Sequence, residues 1–332
     1  MSFNLEDFVD RLFRERGGGV LEEARKIVLQ DKLESKEVYE ALTYFMTEYW
    51  HDTARPAILS LVCEGVGGDP RVTTPIAIPM TLISGALDIH DDIIDQSREK
   101  RSRLTVLGKF GRDVALLTAD ALLFKGFTLL YKAIEKGIPI DKLSTIVQVI
   151  EKMFFELGDA EALELNLRRR VDTAPESYLH VLRKKAADVE AHTRIGAILG
   201  GGSEADVEAL GNYGRALGML IILRDEWIDT VYLKEARHRV EREAPPIPIL
   251  YAMQKPEARH TILSIISKKK LSVKDVETLR EITEEADGFK HLETLMKRLA
   301  AEAYTYIKDV KQNREYLELI VKAVLLPKNK IS

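Results

Sequence analysis

Cysteine is nearly absent: Cys63 is the single thiol in 332 residues. A disulfide framework and a thiolate zinc site are therefore excluded within one chain. No charge of one sign dominates. Lysine and arginine number 49, aspartate and glutamate 53, and the formal net charge is −4. A protein that coats nucleic acid draws on many unneutralised basic side chains, so nucleic acid is not an expected partner. There is no uninterrupted apolar stretch of about 18 residues, so no transmembrane segment is expected. The opening MSFNLEDFVDRLFRERGGG carries acidic residues and no long apolar run. Neither a signal peptide nor an anchor is expected there, and a cytoplasmic location is the default. A Gly-rich phosphate loop of the Walker or dinucleotide type is missing, so any phosphate must be held by side chains and metal. Alternating runs bounded by hairpin turns are scarce as well.

What is present is helical almost throughout. LEDFVDRLFRER, SKEVYEALTYFMTEYW, DKLSTIVQVIEKMFFELGDAEALELNLRRR and KDVETLREITEEADGFKHLETLMKRLAAEAYTYIKDV place apolar residues at three-and-four spacing. Gly17-Gly18-Gly19, Gly67-Gly68-Asp69-Pro70 and Gly200-Gly201-Gly202 are expected to break helices. Ser203 with Asp206, and Ser272 with Asp275, read as helix caps. Pro245, Pro246 and Pro248 mark one irregular connection. Linkers and repeats are missing. The expectation is a single all-α domain over 1–332, an inner bundle wrapped by outer helices, with roughly ten or more helices in all. Segments 76–89, 114–130, 191–200 and 214–223 are apolar on more than one face and are expected to be buried all round.

Two acidic clusters stand out. Asp91, Asp92 and Asp95 close the apolar run IAIPMTLISGALDI, and Asp225, Glu226 and Asp229 repeat the spacing after another apolar run. Carboxylates four apart share a helix face and repel by a few tenths of a kcal/mol. Such a helix end calls for a compensator, and a hard divalent cation held through oxygen is the natural one. Two such clusters fit magnesium (Mg2+) and a polyphosphate whose negative charge the metal stabilises. Lys100, Arg101 and their neighbours Arg98 and Arg103, with Lys184 and Lys185, supply positive charge for such a group.

With these residues in view, the chain resembles the trans-isoprenyl diphosphate synthases, the polyprenyl synthetase family, and its geranylgeranyl diphosphate synthases in particular. The resemblance covers about residues 45–255. DDIID at 91–95 matches the family's first DDxxD motif, and DEWID at 225–229 the second with Glu226 for aspartate. Lys100 and Arg101 fall on its paired arginines, Lys185 on a diphosphate-binding lysine, and Arg55 on an arginine of its homoallylic segment. The resemblance implies an all-α isoprenoid-synthase bundle around a central cavity, and a homodimer. It also implies magnesium held by Asp91, Asp92, Asp95, Asp225, Glu226 and Asp229. Ionisation of an allylic prenyl diphosphate and addition of isopentenyl diphosphate would follow, with Arg55, Lys100, Arg101 and Lys185 on the diphosphates. Asp91, Asp92, Asp95, Lys185 and Asp225 are the catalytic candidates. Ala86 and Leu87 fall where the family limits product length, and small Ala86 predicts a product longer than fifteen carbons.

The departures concentrate in the isopentenyl half. The family's Gly-Gly-Lys-x-x-Arg reads Trp50-His51-Asp52-Thr53-Ala54-Arg55, with a reversal of charge at Asp52 that is expected to pair with Arg55. Ile221-Ile222 replaces Phe-Gln, Glu161 stands for glutamine, Ala186 for threonine, and only Arg242 remains near Pro248 where a lysine is expected. Two further readings follow: a supporting or length-setting subunit of a hetero-oligomer, and a class I terpene synthase-like enzyme that ionises without condensing. His90 is read as a helix-end hydrogen bonder; His192, Trp227 and Cys63 are read as packed residues.

Overall fold

The protein is described from a computed structural model, which covers residues 4–100, 102–168, 170, 173–268 and 270–325. The helices are α1 (Leu5–Leu29), α2 (Lys36–Tyr44), α3 (Ala54–Gly65), α4 (Thr74–Ile94), α5 (Val106–Phe110), α6 (Arg112–Lys132), α7 (Ile140–Leu167) and α8 (Pro175–Lys185). They continue as α9 (Ala187–Leu199), α10 (Glu204–Val231), α11 (Leu233–Arg242), α12 (Ile247–Ala252), α13 (Pro256–Ile266), α14 (Val273–Glu285), α15 (Gly288–Tyr306) and α16 (Arg314–Val324). A two-residue antiparallel pair, β1 (Glu99–Lys100) and β2 (Arg103–Leu104), is the only sheet among the described residues. The all-α expectation holds.

Local chemistry accounts for most boundaries. Asn4 and Ser35 accept from backbone N–H groups at the starts of α1 and α2. Ser272 and Asp275 form the expected reciprocal cap on α14, and Ser203 and Asp206 bond in the same way before α10. Gly67 and Gly201 end their helices with φ of 98° and 78°, values that favour glycine.

Gly17-Gly18-Gly19 does not break α1, which runs through it. Leu12, Leu21, Ala24 and Val28 bury one stripe of this helix, and that packing outweighs the intrinsic cost of glycine. Gly17 is required by contact, since a Cβ there would overlap the Thr53 carbonyl. The apolar stretch from Lys274 onward splits in two instead, at Asp287 with φ of 62°.

The chain forms two compact units. The first comprises 1–152, 191–211 and 307–319. Within it α4 packs along α6, and α1 lies on α3 and α4. Its core includes Phe45, Met46, Trp50, Leu82, Ala86, Ile89, Ala119 and Leu122. Gly126 permits the close approach of α6 to Ile83 and the Pro79 carbonyl of α4. Cys63 is buried, as read. The second unit comprises 153–190, 212–306 and 320–332. Here α12 packs on α8, α14 and α15, around Tyr178, Leu182, Ile247, Leu250, Leu292 and Met296.

Segment 114–130 departs from expectation. It is not buried all round: Leu117 is 55% exposed, Phe124 72%, and Tyr131 just beyond it 75%. Among the described residues α6 packs on α4, α2 and α5, and the side this covers bears Ala115, Ala119 and Leu122. By length and composition alone, α4 with its preceding turn and α6 are apolar enough to cross a membrane. The first is mostly buried in the protein, as a core helix is.

Candidate metal and diphosphate sites

In the first unit, α4 carries a buried apolar body into an acidic end. Asp91 is half-buried, Asp92 is buried, and Asp95 caps the helix with its N–H donating to the Asp91 carbonyl at 2.8 Å. Gln96 and Ser102 take φ of 57° and 63°, and the β1–β2 turn folds the chain back. Thr105 fixes the return by donating its hydroxyl to the Ser97 carbonyl at 2.7 Å. Lys100 is thereby laid on the helix end, 3.1 Å from Asp91 Oδ2 and 2.8 Å from Asp92 Oδ1.

Burial pushes the Asp92 carboxyl up to about 7; Lys100 opposes the rise, and Asp91 and Asp88 add to it. Burial alone would lower the Lys100 pKa, but Asp91 and Asp92 more than reverse this and hold it charged. His90 bonds Asp120 at 3.3 Å, the helix-end role read for it.

Arg55 lies in the first turn of α3. Its guanidinium reaches Asp52 Oδ2 at 2.6 Å and Asp88 Oδ1 at 3.3 Å, so the expected Asp52–Arg55 pair is present. Asp52 Oδ1 also accepts from Ala54 N at 2.8 Å and Arg55 N at 3.2 Å. The reversed charge thus caps the start of α3. Asp88 accepts in addition from Trp50 Nε1 at 2.7 Å. Arg101 lies outside the described residues.

In the second unit, α10 presents an exposed Asp225, a buried Glu226 and a partly buried Asp229. Trp227 turns to Phe289, edge to face at 6.2 Å, which is the packing role read for it. Glu226 Oε2 accepts from Ile247 N at 2.8 Å, and its Oε1 accepts from Tyr178 Oη at 3.1 Å and from Arg239 at 2.6 Å. Arg239 also reaches Asp229 Oδ2 at 2.9 Å and Glu243 Oε2 at 2.8 Å. Burial raises the Glu226 and Asp229 carboxyls from their ordinary values, with Arg239 opposing. Lys185 lies 2.5 Å from Glu164 Oε2 and 2.9 Å from Glu161 Oε1. Tyr178 joins these groups by donating within 3.2 Å of Glu164 Oε1.

Arg239, Tyr178, Glu164 and Glu243 were not legible as site residues. The Arg239 and Glu243 side chains are four apart on one helix end, the one available signal, and that spacing is common on solvated helices. Arg242, the cation singled out in the sequence, is exposed, while Arg239 one turn earlier is buried among carboxylates.

A hard cation needs carboxylate oxygens with lone pairs to spare. Asp91 and Asp95, whose carboxylate oxygens come within 4.8 Å of one another at this helix end, fit magnesium. Glu226 fits less well, because both its oxygens already accept hydrogen bonds.

An all-α protein with carboxylate-rich ends on apolar helices and lysines laid among them carries charges suited to a metal and a diphosphate. Residues 36–283 match the polyprenyl synthetase family, and the chain is a member of that family and hence a prenyltransferase. The short chain isoprenyl diphosphate synthase of Methanothermobacter thermautotrophicus is 29% identical over 272 residues, covering 80% of this chain and 79% of that one. The geranylgeranyl diphosphate synthase of Methanosarcina mazei is 31% identical over 206 residues, 62% of each chain. The geranylgeranyl pyrophosphate synthetase structure from Pyrococcus horikoshii shares the fold, with TM-score 0.84 at 22% identity over 96% of this chain and 99% of that one.

Proposed function

We propose that the protein condenses isopentenyl diphosphate with an allylic prenyl diphosphate in a magnesium-dependent reaction, releasing diphosphate and a longer trans-prenyl diphosphate. The observation that carries this reading is the helix end Asp91-Asp92-Asp95 with Lys100 laid across it, in a chain of this family. In the reaction the allylic C–O bond breaks and diphosphate leaves with the electron pair. The double bond of isopentenyl diphosphate then attacks the allylic cation, and a proton is lost from the new chain. Asp91, Asp92 and Asp95 in the first unit, and Asp225 in the second, are the residues that would hold magnesium. When bound there, magnesium supplies positive charge to the leaving diphosphate. Lys100 and Lys185 add fixed positive charge preorganised by their carboxylate partners. Arg55 and Arg101 serve the isopentenyl diphosphate, and Arg55 must share its charge with Asp52 and Asp88. The small side chain of Ala86, two turns before Asp92, favours a product longer than fifteen carbons over a shorter one.

The apolar face of α6 supports a homodimer. Leu117, Phe124 and Tyr131 recur every seven residues and so lie on one side of the helix, all exposed. The family match and the relatives named as synthases favour condensation over the subunit-only and ionisation-only readings. Incubating the purified chain with magnesium, allylic primers of five to twenty carbons and labelled isopentenyl diphosphate tests the reading. Labelled, longer prenyl diphosphates are expected. Release of diphosphate without incorporation, or no reaction at all, would overturn it.

A further inference from the structure

We propose that Arg239 is a positioning residue: a resident cation that occupies Glu226 and Asp229, withdraws Glu226 from metal coordination, and fixes Lys185 through Tyr178 and Glu164. The proposal deepens the condensation reading and rests on it.

The geometry is a connected chain of short contacts. Arg239 touches Glu226 at 2.6 Å, Asp229 at 2.9 Å, Glu243 at 2.8 Å and Tyr178 Oη at 2.7 Å. Its side chain is only 12% exposed, and that of Glu226 2%. An arginine fork satisfies several carboxylates at once, which a divalent ion in the same place would otherwise do. Glu226 has little left to offer. One oxygen accepts from Arg239 and lies 3.1 Å from Tyr178 Oη, and the other accepts from the Ile247 amide at the start of α12. Pro246 and Pro248 flank that amide, so the donor does not move away easily. Binding a metal through Glu226 would strip buried, charge-assisted hydrogen bonds from Arg239 and Ile247. Asp225 is the neighbouring carboxylate of the motif and is exposed.

The same cation acts at a distance. A tyrosine hydroxyl has one proton and two lone pairs. With Arg239 donating into Tyr178 Oη, that one proton goes to either Glu226 Oε1 or Glu164 Oε1, which lie 3.1 Å and 3.2 Å away. Glu164 in turn holds Lys185 at 2.5 Å, with Glu161 at 2.9 Å. Lys185, a diphosphate contact in the proposed reaction, is therefore aimed by a network whose central positive charge is Arg239. A merely structural ion cluster would change the melting temperature when broken, with no effect on which carboxylates take metal.

The test uses the purified full chain with manganese(II) as the metal probe, titrated with saturating inorganic diphosphate and again without it. Each variant's melting temperature is measured first. Asp225→Asn is expected to weaken manganese affinity at least tenfold, and Glu226→Gln less than twofold. Arg239→Gln, which leaves Glu226 and Asp229 without their cation, is expected to bind manganese at least threefold more tightly without diphosphate. Arg239→Lys keeps the charge but not the fork; near wild-type manganese affinity with a severalfold higher KM for the allylic diphosphate is expected. If Glu226→Gln loses as much affinity as Asp225→Asn, or if a folded Arg239→Gln binds manganese as the wild type does, the proposal is overturned. Should Arg239→Gln fail to fold, the comparison of Glu226→Gln with Asp225→Asn decides alone. Wild-type affinity in both Asp91→Asn and Asp225→Asn would overturn the condensation reading itself, a pattern distinct from a shared loss at Asp225 and Glu226.

Discussion

Asp91 and Asp225 are carboxylates at equivalent places in two motifs, and each is accessible enough to take a metal. In the proposed reaction, replacing either by alanine removes an oxygen ligand from the charge stabilisation of the leaving diphosphate. A fall in turnover on the order of 10²–10³-fold is expected for each, measured by release of diphosphate from an allylic primer. Asp52 calls for a subtler change. Lysine there would restore the family's charge but lose two backbone hydrogen bonds at the start of α3, at a cost of about 1 kcal/mol. Asparagine keeps the capping oxygen and releases Arg55 from a 2.6 Å ion pair. Asp52→Asn should lower the KM for isopentenyl diphosphate severalfold while leaving the melting temperature nearly unchanged. Asp92 gives a pH dependence. Its carboxyl is held up to about 7, so the folded state keeps a proton that the unfolded chain has already lost. That contribution to stability is complete below the unfolded value near 4 and is lost as pH rises through about 7. In metal-free protein the melting temperature should therefore decline across this window, and Asp92→Asn should flatten the decline.

At the scale of elements, α1 shows how context reorders a sequence signal. Gly17, Gly18 and Gly19 have the same intrinsic helix cost, yet only Gly17 lies against the Thr53 carbonyl, while the other two face open space. Gly17→Ala should destabilise the protein by about 1–3 kcal/mol, as overpacking does. Gly18→Ala should stabilise it by about 0.4–1 kcal/mol, because it reduces the freedom of the unfolded chain. Urea denaturation of the two variants separates them by sign. The same contrast explains α6. Its composition reads as a core helix, but one helix surface can be covered by the chain's own neighbours only where they pack. The face bearing Phe124 and Tyr131 is left open.

For the whole molecule, that open face carries a prediction about assembly. Phe124→Asp with Tyr131→Asp places two charges where a second copy would bury rings. Sedimentation should show the proposed dimer replaced by monomer, with little loss of monomer stability because both side chains are already exposed.

How much of the protein is legible in its sequence follows from what periodicity and local chemistry can encode. The three-and-four spacing of apolar residues determined the all-α class, and short-range caps at Ser272–Asp275 and Ser203–Asp206 determined helix starts. The acidic spacing of 91–95 and 225–229, joined to the family's pattern, determined where the proposed metal and diphosphate sites fall. Even the Asp52–Arg55 pair was readable, because its partners are one helical turn apart. Contacts between residues far apart in the chain were not. Tyr178 meets Glu226 across 48 positions and Arg239 across 61, and no local rule encodes such a meeting. Only tertiary packing decides that Arg239 rather than Arg242 is the buried cation, because burial depends on which side of α11 its neighbours cover. For the same reason, Gly17 continues a helix that its composition would end.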